Sequence, residues 1–532
     1  MKRDRILFFF GIILLVGVFV TASLNIWRRS AKEADPNQVI IRMAHWQLEP
    51  PVRAAFEQIA QIYMDEHPGV TVEVIAVPER TYAQWFMTRL VGGFAPDIIG
   101  IRSNRDAALI ARYFMPLTEP VEEPNPYNAG TPLADTPWRN TFIDGLGSDE
   151  AYHPQLLDYY AVPVSQFTYR VIYNRTLWRE ILGNTPHPKT YAELTALCAR
   201  FSEEAAKKGR AVVPFLASKY HGDAVYQRLF RSQTQKVTER LRGTPLFPYA
   251  GTDYPLDFLR GDWTLDSAEF TSGLNIVRDS SKLFQSGYQQ LSREDGGFRF
   301  LQGTALMIYT GSWDYGSFRS QADFELGVFK LPIPEPGSPG FGELVVGEPW
   351  EGSTSPSTVF SLARQSKHPT QALDFMQFLT SVRGNRIFAT TSGWLPTILG
   401  IEPDEDIKPF YPKTAGVRNG LEIGSFGQQN GGRVIENGRH LLFGPKGSTA
   451  AYTAYLQENL PPAVHQDLER IVSQQEKVVQ RQDSVIAAFA QLRKNPENAN
   501  HALRKLYENE ESQTALEALN GWISLNLDEP VR

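Results

Sequence analysis

Cysteine is almost missing. Cys198 is the single one in 532 residues. That excludes an intramolecular disulfide and any multi-cysteine metal site. It lies far downstream, so lipidation at an N-terminal cysteine is excluded too. An excess of one charge is also lacking. Lys and Arg number 53 against 59 Asp and Glu, a net of −6, so nothing global points to nucleic acid. No specific catalytic motif and no short internal repeat is present. Hydrophobic residues make up 42% and charged residues 21%, which argues against a disordered, fibrous or polytopic membrane protein. Aromatic residues, in contrast, are plentiful: 12% of the chain, with ten Trp. Trp is rarely buried completely and is enriched on binding surfaces. At roughly 100–200 residues per domain, the length exceeds one domain.

The first thirty residues stand apart. Lys2, Arg3 and Arg5 precede an apolar run from Ile6 to Val20, and tolerable residues continue to Trp27 before Arg28-Arg29. This is the layout of an export signal. Val20 and Ala22 offer a cleavage pattern, with cutting after Ala22. Ile6–Trp27 is also long enough to span a bilayer, which needs about 20 residues. A cleaved signal and a retained anchor both stand open, and either sends the body out of the cytosol. Without residues 1–29 the chain holds 48 basic and 58 acidic residues, a net of −10. A moderately acidic body disfavours phosphate-rich partners.

Beyond the signal, α and β patterns alternate. Val39–Trp46 reads as a strand, Val52–Glu66 as a helix with one apolar face, and Val70–Val77 as a β-branched strand. A helix over Thr81–Val91 and a short strand at Pro96–Ile101 follow. That order predicts a mostly parallel sheet with ligands at the carboxyl ends of its strands. Trp46–Pro51 and Arg102–Arg105 sit at such ends. Further on, Thr190 and Glu193 predict a capped helix over Tyr191–Lys208.

Five blocks in order carry a resemblance. They are the first strand ending in Trp46; Gly92-Gly-Phe-Ala-Pro-Asp-Ile-Ile99; Tyr160-Ala-Val-Pro163 with Ile172-Tyr-Asn174 and Pro188–Leu194; Phe300–Met307 with Gly311-Ser-Trp313; and Lys367–Leu379 with Gly393-Trp-Leu-Pro396. Over roughly residues 38–400 the chain resembles bacterial extracellular solute-binding proteins of the carbohydrate-uptake class, the maltose-binding-protein-like receptors of ABC importers. The resemblance implies an α/β, two-lobe periplasmic-binding-protein-like fold with discontinuous lobes and hinge crossovers. By analogy, residues 36–150 plus 353–397 form lobe 1, and 151–350 plus 398–460 form lobe 2. The implied partners are a carbohydrate ligand and permease subunits, with no cofactor, no metal and no catalytic residue. The membrane enters as a partner only through an uncleaved N-terminal segment, and nucleic acid not at all.

Sugars present apolar C–H faces and a hydroxyl rim, which aromatic rings and polar side chains respectively bind. Trp46 and Glu49 follow the first strand. Arg102, Asn104 and Arg105 occupy the loop where the family presents polar contacts. Tyr220 and His221 follow the strand Val212–Leu216, and His221 has no metal-spaced partner. Trp313 and Tyr315 belong to the Gly-x-Trp block. Trp350, Glu351 and Trp394 lie at lobe crossovers. These twelve residues are the candidate ligand contacts.

The chain departs from the family in continuing well past residue 400. Gly416–Gly447 reads as a loop. A helix is expected after Pro461-Pro462 to about Lys494, with a near-heptad apolar stripe, packed along lobe 2 or serving a partner. Two shorter helices, Ala499–Glu508 and Ser512–Leu525, complete an extension over 461–532. Two other functions remain open. One is a sensory, partner-docking ectodomain. The other is an exported glycoside-processing enzyme using Glu49 and Glu351 as acid and base.

Overall fold

The computed structural model describes residues 38–101, 107–148, 150–153, 156–241, 253–351, 356–402, 404–422, 429–443 and 446–527. The N-terminal signal or anchor lies outside them. Among the described residues no helix is long and apolar enough to cross a membrane.

Strand β1 (Val39–His45) lies between β2 (Val70–Ala76) and β3 (Ile98–Ile101), parallel to both. The helix Pro50–Glu66 covers them. Its Val52, Ala55, Phe56, Ile59, Ala60 and Tyr63 fall three or four apart and are buried, so one stripe faces the sheet. Asp97, just before β3, accepts from the Arg42 amide at 2.8 Å and from the Ser366 hydroxyl at 2.6 Å. It is a structural carboxylate that joins β1 to the turn after the last strand.

A short hairpin, β4 (Tyr152–His153) and β5 (Asp158–Tyr159), precedes β6 (Val162–Gln166). Next come β7 (Tyr169–Asn174), β8 (Val213–Leu216), β9 (Ala305–Gly311), β10 (Leu326–Phe329) and β11 (Pro356–Leu362). They form two main sheets, ordered β2-β1-β3-β11-β6 and β10-β7-β9-β8. Each anchors one lobe. β6 is an edge of the first sheet, paired antiparallel with β11. Residues 156–166 therefore run with lobe 1, and the chain first passes to the second sheet at Phe167–Thr168, whereas the analogy puts that crossing near residue 150. The tyrosine-rich lead-in to β6 hides that pairing, since only the distant β11 defines it. At the second crossing, Glu351 still pairs with Arg170 of β7, whereas Pro356 opens β11 in the first sheet. At the third, Ile398 and Ile401 still pack in the lobe 1 core, whereas Ile407 and Phe410 pack in lobe 2.

The C-terminal region differs from its sequence reading. Asn430–Phe443 is a helix, not a loop. Its first amides lack helical partners. The buried Asp467 carboxylate accepts from Asn430 at 2.9 Å and Gly431 at 3.0 Å, a cap supplied from another helix. The long helix begins at Thr449, not at the prolines, and runs to Leu492 through Pro461 and Pro462. Leu460 and Val464, flanking the pair, are buried in the lobe 2 core, and that packing outweighs the lost hydrogen bonds. Ala499–Leu527 is one helix rather than two. It runs back antiparallel, with Gln482 donating to Ser512 at 3.1 Å and Gln513 to Asp483 at 2.6 Å.

Candidate functional site

The crossovers gather an aromatic cluster. Phe167 and Tyr169 straddle the first crossing. Trp313 opens a helix directly after β9, and Tyr220 lies in the first turn of the helix Lys219–Gln233. The Trp313 ring centroid is 4.8 Å from Phe167 and 5.3 Å from Tyr169, both edge-on. The Tyr169 and Tyr220 hydroxyls are 2.8 Å apart. Gly311 permits this arrangement, since a Cβ there would enter the Trp313 ring. The Ser312 amide donates to the Thr168 carbonyl at 2.8 Å, tying the crossing to the start of the Trp313 helix.

Arg293 sits over this cluster, 5.7 Å from both the Tyr220 and Trp313 centroids, within cation–π range. Asp314 holds its guanidinium at 2.6 Å. Across the cleft Arg293 reaches the lobe 1 carboxylates Glu49 at 3.9 Å and Glu79 at 4.0 Å. Burial raises the Glu49 carboxyl above its ordinary range, and Arg293 offsets this only in part.

Beside the rings lies a cavity of about 390 Å³, lined by Tyr169, Tyr220, Gln227, Arg228, Arg231 and Glu351 among others. Its volume suits a small ligand. Several of its charges are paired. Arg228 meets Glu348 at 2.6 Å and Arg231 meets Glu422 at 2.6 Å. Arg170 holds Glu351 through two bonds of 2.8 and 3.0 Å. Burial pushes the Glu351 carboxyl up, but Arg170 outweighs it and the net shift is downward. A carboxylate so held is a poor proton donor, which counts against an acid–base pair with Glu49. Four buried polar atoms around the cleft have no hydrogen-bond partner among the described residues: Glu49 Oε2, Gln227 Oε1, Arg231 Nε and Trp313 Nε1. Buried polar atoms are normally bonded, so a mixed set of donors and acceptors beside apolar rings is the pattern of a polyhydroxyl site.

The profile of the family described as bacterial extracellular solute-binding protein matches residues 58–413. The chain belongs to that family. Its members are binding proteins, not enzymes. This solute-binding protein is 21% identical over 414 residues to the multiple sugar-binding protein of Streptococcus mutans, covering 76% of this chain and 85% of that one. Among solved structures it is similar to the RafE binding protein in complex with raffinose, with a TM-score of 0.50 and 18% identity over 80% of this chain and 100% of that one. The GacH receptor of Streptomyces glaucescens, solved unliganded and with acarbose, gives a TM-score of 0.55 and 16% identity, covering 80% and 98%. These structural likenesses establish the two-lobe fold.

The expected contacts of this solute-binding protein separate into groups. Tyr220, Trp313, Glu49 and Glu351 come together at the cleft. Trp350 is 48% exposed beside the cavity-lining Pro349 and Glu351. Arg102, Asn104 and Arg105 lie outside the described residues. Four of the expected contacts are packed inside the protein. Trp46 is buried edge-on against Tyr82 at 5.4 Å, in the lobe 1 core. His221 points into the core, where its Nδ1 meets the Ser218 hydroxyl at 2.8 Å. Tyr315 is buried against Phe410 in lobe 2. Trp394 is buried in the hinge, its indole donating to the Trp313 carbonyl at 3.0 Å. Sequence reasoning passed over Phe167, Tyr169, Gln227, Arg231 and Arg293. Two aromatics flanking Thr168 between strand patterns were the available signal for the first pair. The others are placed by tertiary packing alone.

Proposed function

We propose that this chain captures an oligosaccharide between its lobes and delivers it to the permease of an ABC importer, working outside the cytosol and held to the membrane by residues 6–27 if that segment is retained. One observation carries the reading: the aromatic cluster at the crossover sits beside unpartnered buried donors and acceptors. Rings suit sugar faces, and the mixed polar atoms suit hydroxyls better than a phosphate or a long alkyl chain. The sugar-binding relatives support the same class. The test is calorimetry and thermal shift of the purified chain with an oligosaccharide panel that includes raffinose, acarbose and chitin oligosaccharides. A cognate sugar at 100 times its Kd stabilises by about 2.7 kcal/mol. Trp313→Ala and Tyr220→Ala are expected to weaken binding at least tenfold. No response to any sugar in a broad panel would count decisively against the reading.

A further inference from the structure

The C-terminal hairpin touches both lobes. At its root, Leu456, Leu460, Val464 and Leu468 of the long helix and Ile523 of the returning helix belong to the lobe 2 core. Arg260 of lobe 2 also covers the Trp522 ring at 5.2 Å. Lys505 lies eighteen residues before Ile523, about 27 Å along the helix. There the contact is with lobe 1. The Lys505 ammonium is 3.5 Å from the Asp158 carboxylate and 3.5 Å from the Leu157 carbonyl. Lys505 and Asp158 are only 8% and 9% exposed, and Glu508 adds a second carboxylate at 3.2 Å. Asp158 stands on β5, which is fixed to lobe 1 because Leu117 donates to the Tyr159 carbonyl at 2.7 Å. A buried pair of this kind resists separation, since parting it without water leaves uncompensated charge.

We propose that the hairpin is a strap that holds the lobes in one relative orientation, the orientation in which Arg293 reaches Glu49 and Glu79 across the cleft. The family match ends at residue 413, so the strap is an addition to the shared fold. Hinged lobes exchange between orientations of similar free energy. A contact made in only one of them shifts the population, and the apparent affinity of any cleft ligand scales with the competent fraction.

Spin labels at Glu57→Cys in lobe 1 and Glu203→Cys in lobe 2, both exposed positions, report the interlobe distance in the ligand-free full chain. Cys198 is buried and stays unlabelled. Lys505→Met is expected to broaden or shift the distance distribution, whereas Lys505→Arg preserves it. If Lys505→Met does not fold, Lys505→Met combined with Asp158→Asn removes both charges and is expected to show the same broadening. An unchanged distribution in a folded variant overturns the proposal. Faster amide exchange over residues 156–159 without a distance change also overturns it, because the contact would then be a local clamp.

Discussion

His45 and His221 are both fully buried, and burial drives their imidazoles down to about 4 and about 3. In the unfolded chain each titrates near 6.5. The unfolded state therefore binds protons first as pH falls. Stability is full above about pH 6.5 and declines below it, until the native rings titrate at about 4 and 3. At pH 5 each ring removes about 2 kcal/mol. The melting temperature is expected to fall between pH 7 and pH 5, and His221→Gln to flatten that slope. An equal slope in the variant would mean that other groups govern the acid limb. The same residue shows why neighbours at a site must be judged singly. Tyr220 and His221 follow one strand, and sequence position alone makes both contacts. They open a helix, where consecutive side chains point about 100° apart, so Tyr220 faces the cleft while His221 faces Gly296. Trp46 illustrates a different limit. A strand-end position was legible, but the ring's destination depended on Tyr82, and on Gly100 leaving room for it.

At the scale of elements, local patterning was a good guide wherever a single face met a single core. The helices Pro50–Glu66 and Tyr191–Lys207 and the strands β1, β2 and β3 follow their periodicity closely. The Thr190 hydroxyl does accept from the Glu193 amide, at 3.2 Å. However, Glu193 reaches the Lys189 amide rather than that of Thr190, so the capping box is incomplete. Patterning misled in the tail, where glycines and a proline pair suggested breaks that packing overrode. Gly438 in the helix Asn430–Phe443 makes room for the rings of Tyr452 and Tyr455, so it serves a helix contact rather than a turn. The long helix changes character along its length: Leu468 is buried in the lobe 2 core, whereas Val485 is 40% exposed. Leu468→Ala is expected to cost about 2–5 kcal/mol in denaturant unfolding, and Val485→Ala less than about 0.5 kcal/mol. Equal costs at the two sites would mean that an undescribed surface covers the outer half.

At the scale of the whole molecule, the candidate site and the contacts between lobes share the same crossovers. The Trp394–Trp313 bond, the Arg170–Glu351 pair and the Gln166 side chain, which donates to the Pro396 carbonyl at 2.7 Å, all lie where chain passes between lobes. Some of the rings bind the lobes to each other, as in the Trp394–Trp313 bond, and others, such as Tyr169 and Tyr220, line the cavity. One close backbone approach of the lobes there involves Gly316, in the lobe 2 helix Trp313–Gln321. A Cβ at this position would lie well inside van der Waals contact with the Ser392 carbonyl oxygen, at the end of the lobe 1 helix Val382–Ser392. A backbone oxygen in a helix end cannot rotate aside as a side chain can. Gly316→Ala must therefore displace one lobe from the other or distort a helix, at a cost of about 1–3 kcal/mol. Small-angle scattering is expected to show a larger radius of gyration, with a lower melting temperature and weaker ligand binding. A variant with wild-type scattering and melting would show that the contact at Gly316 yields locally and that the lobe arrangement does not depend on it.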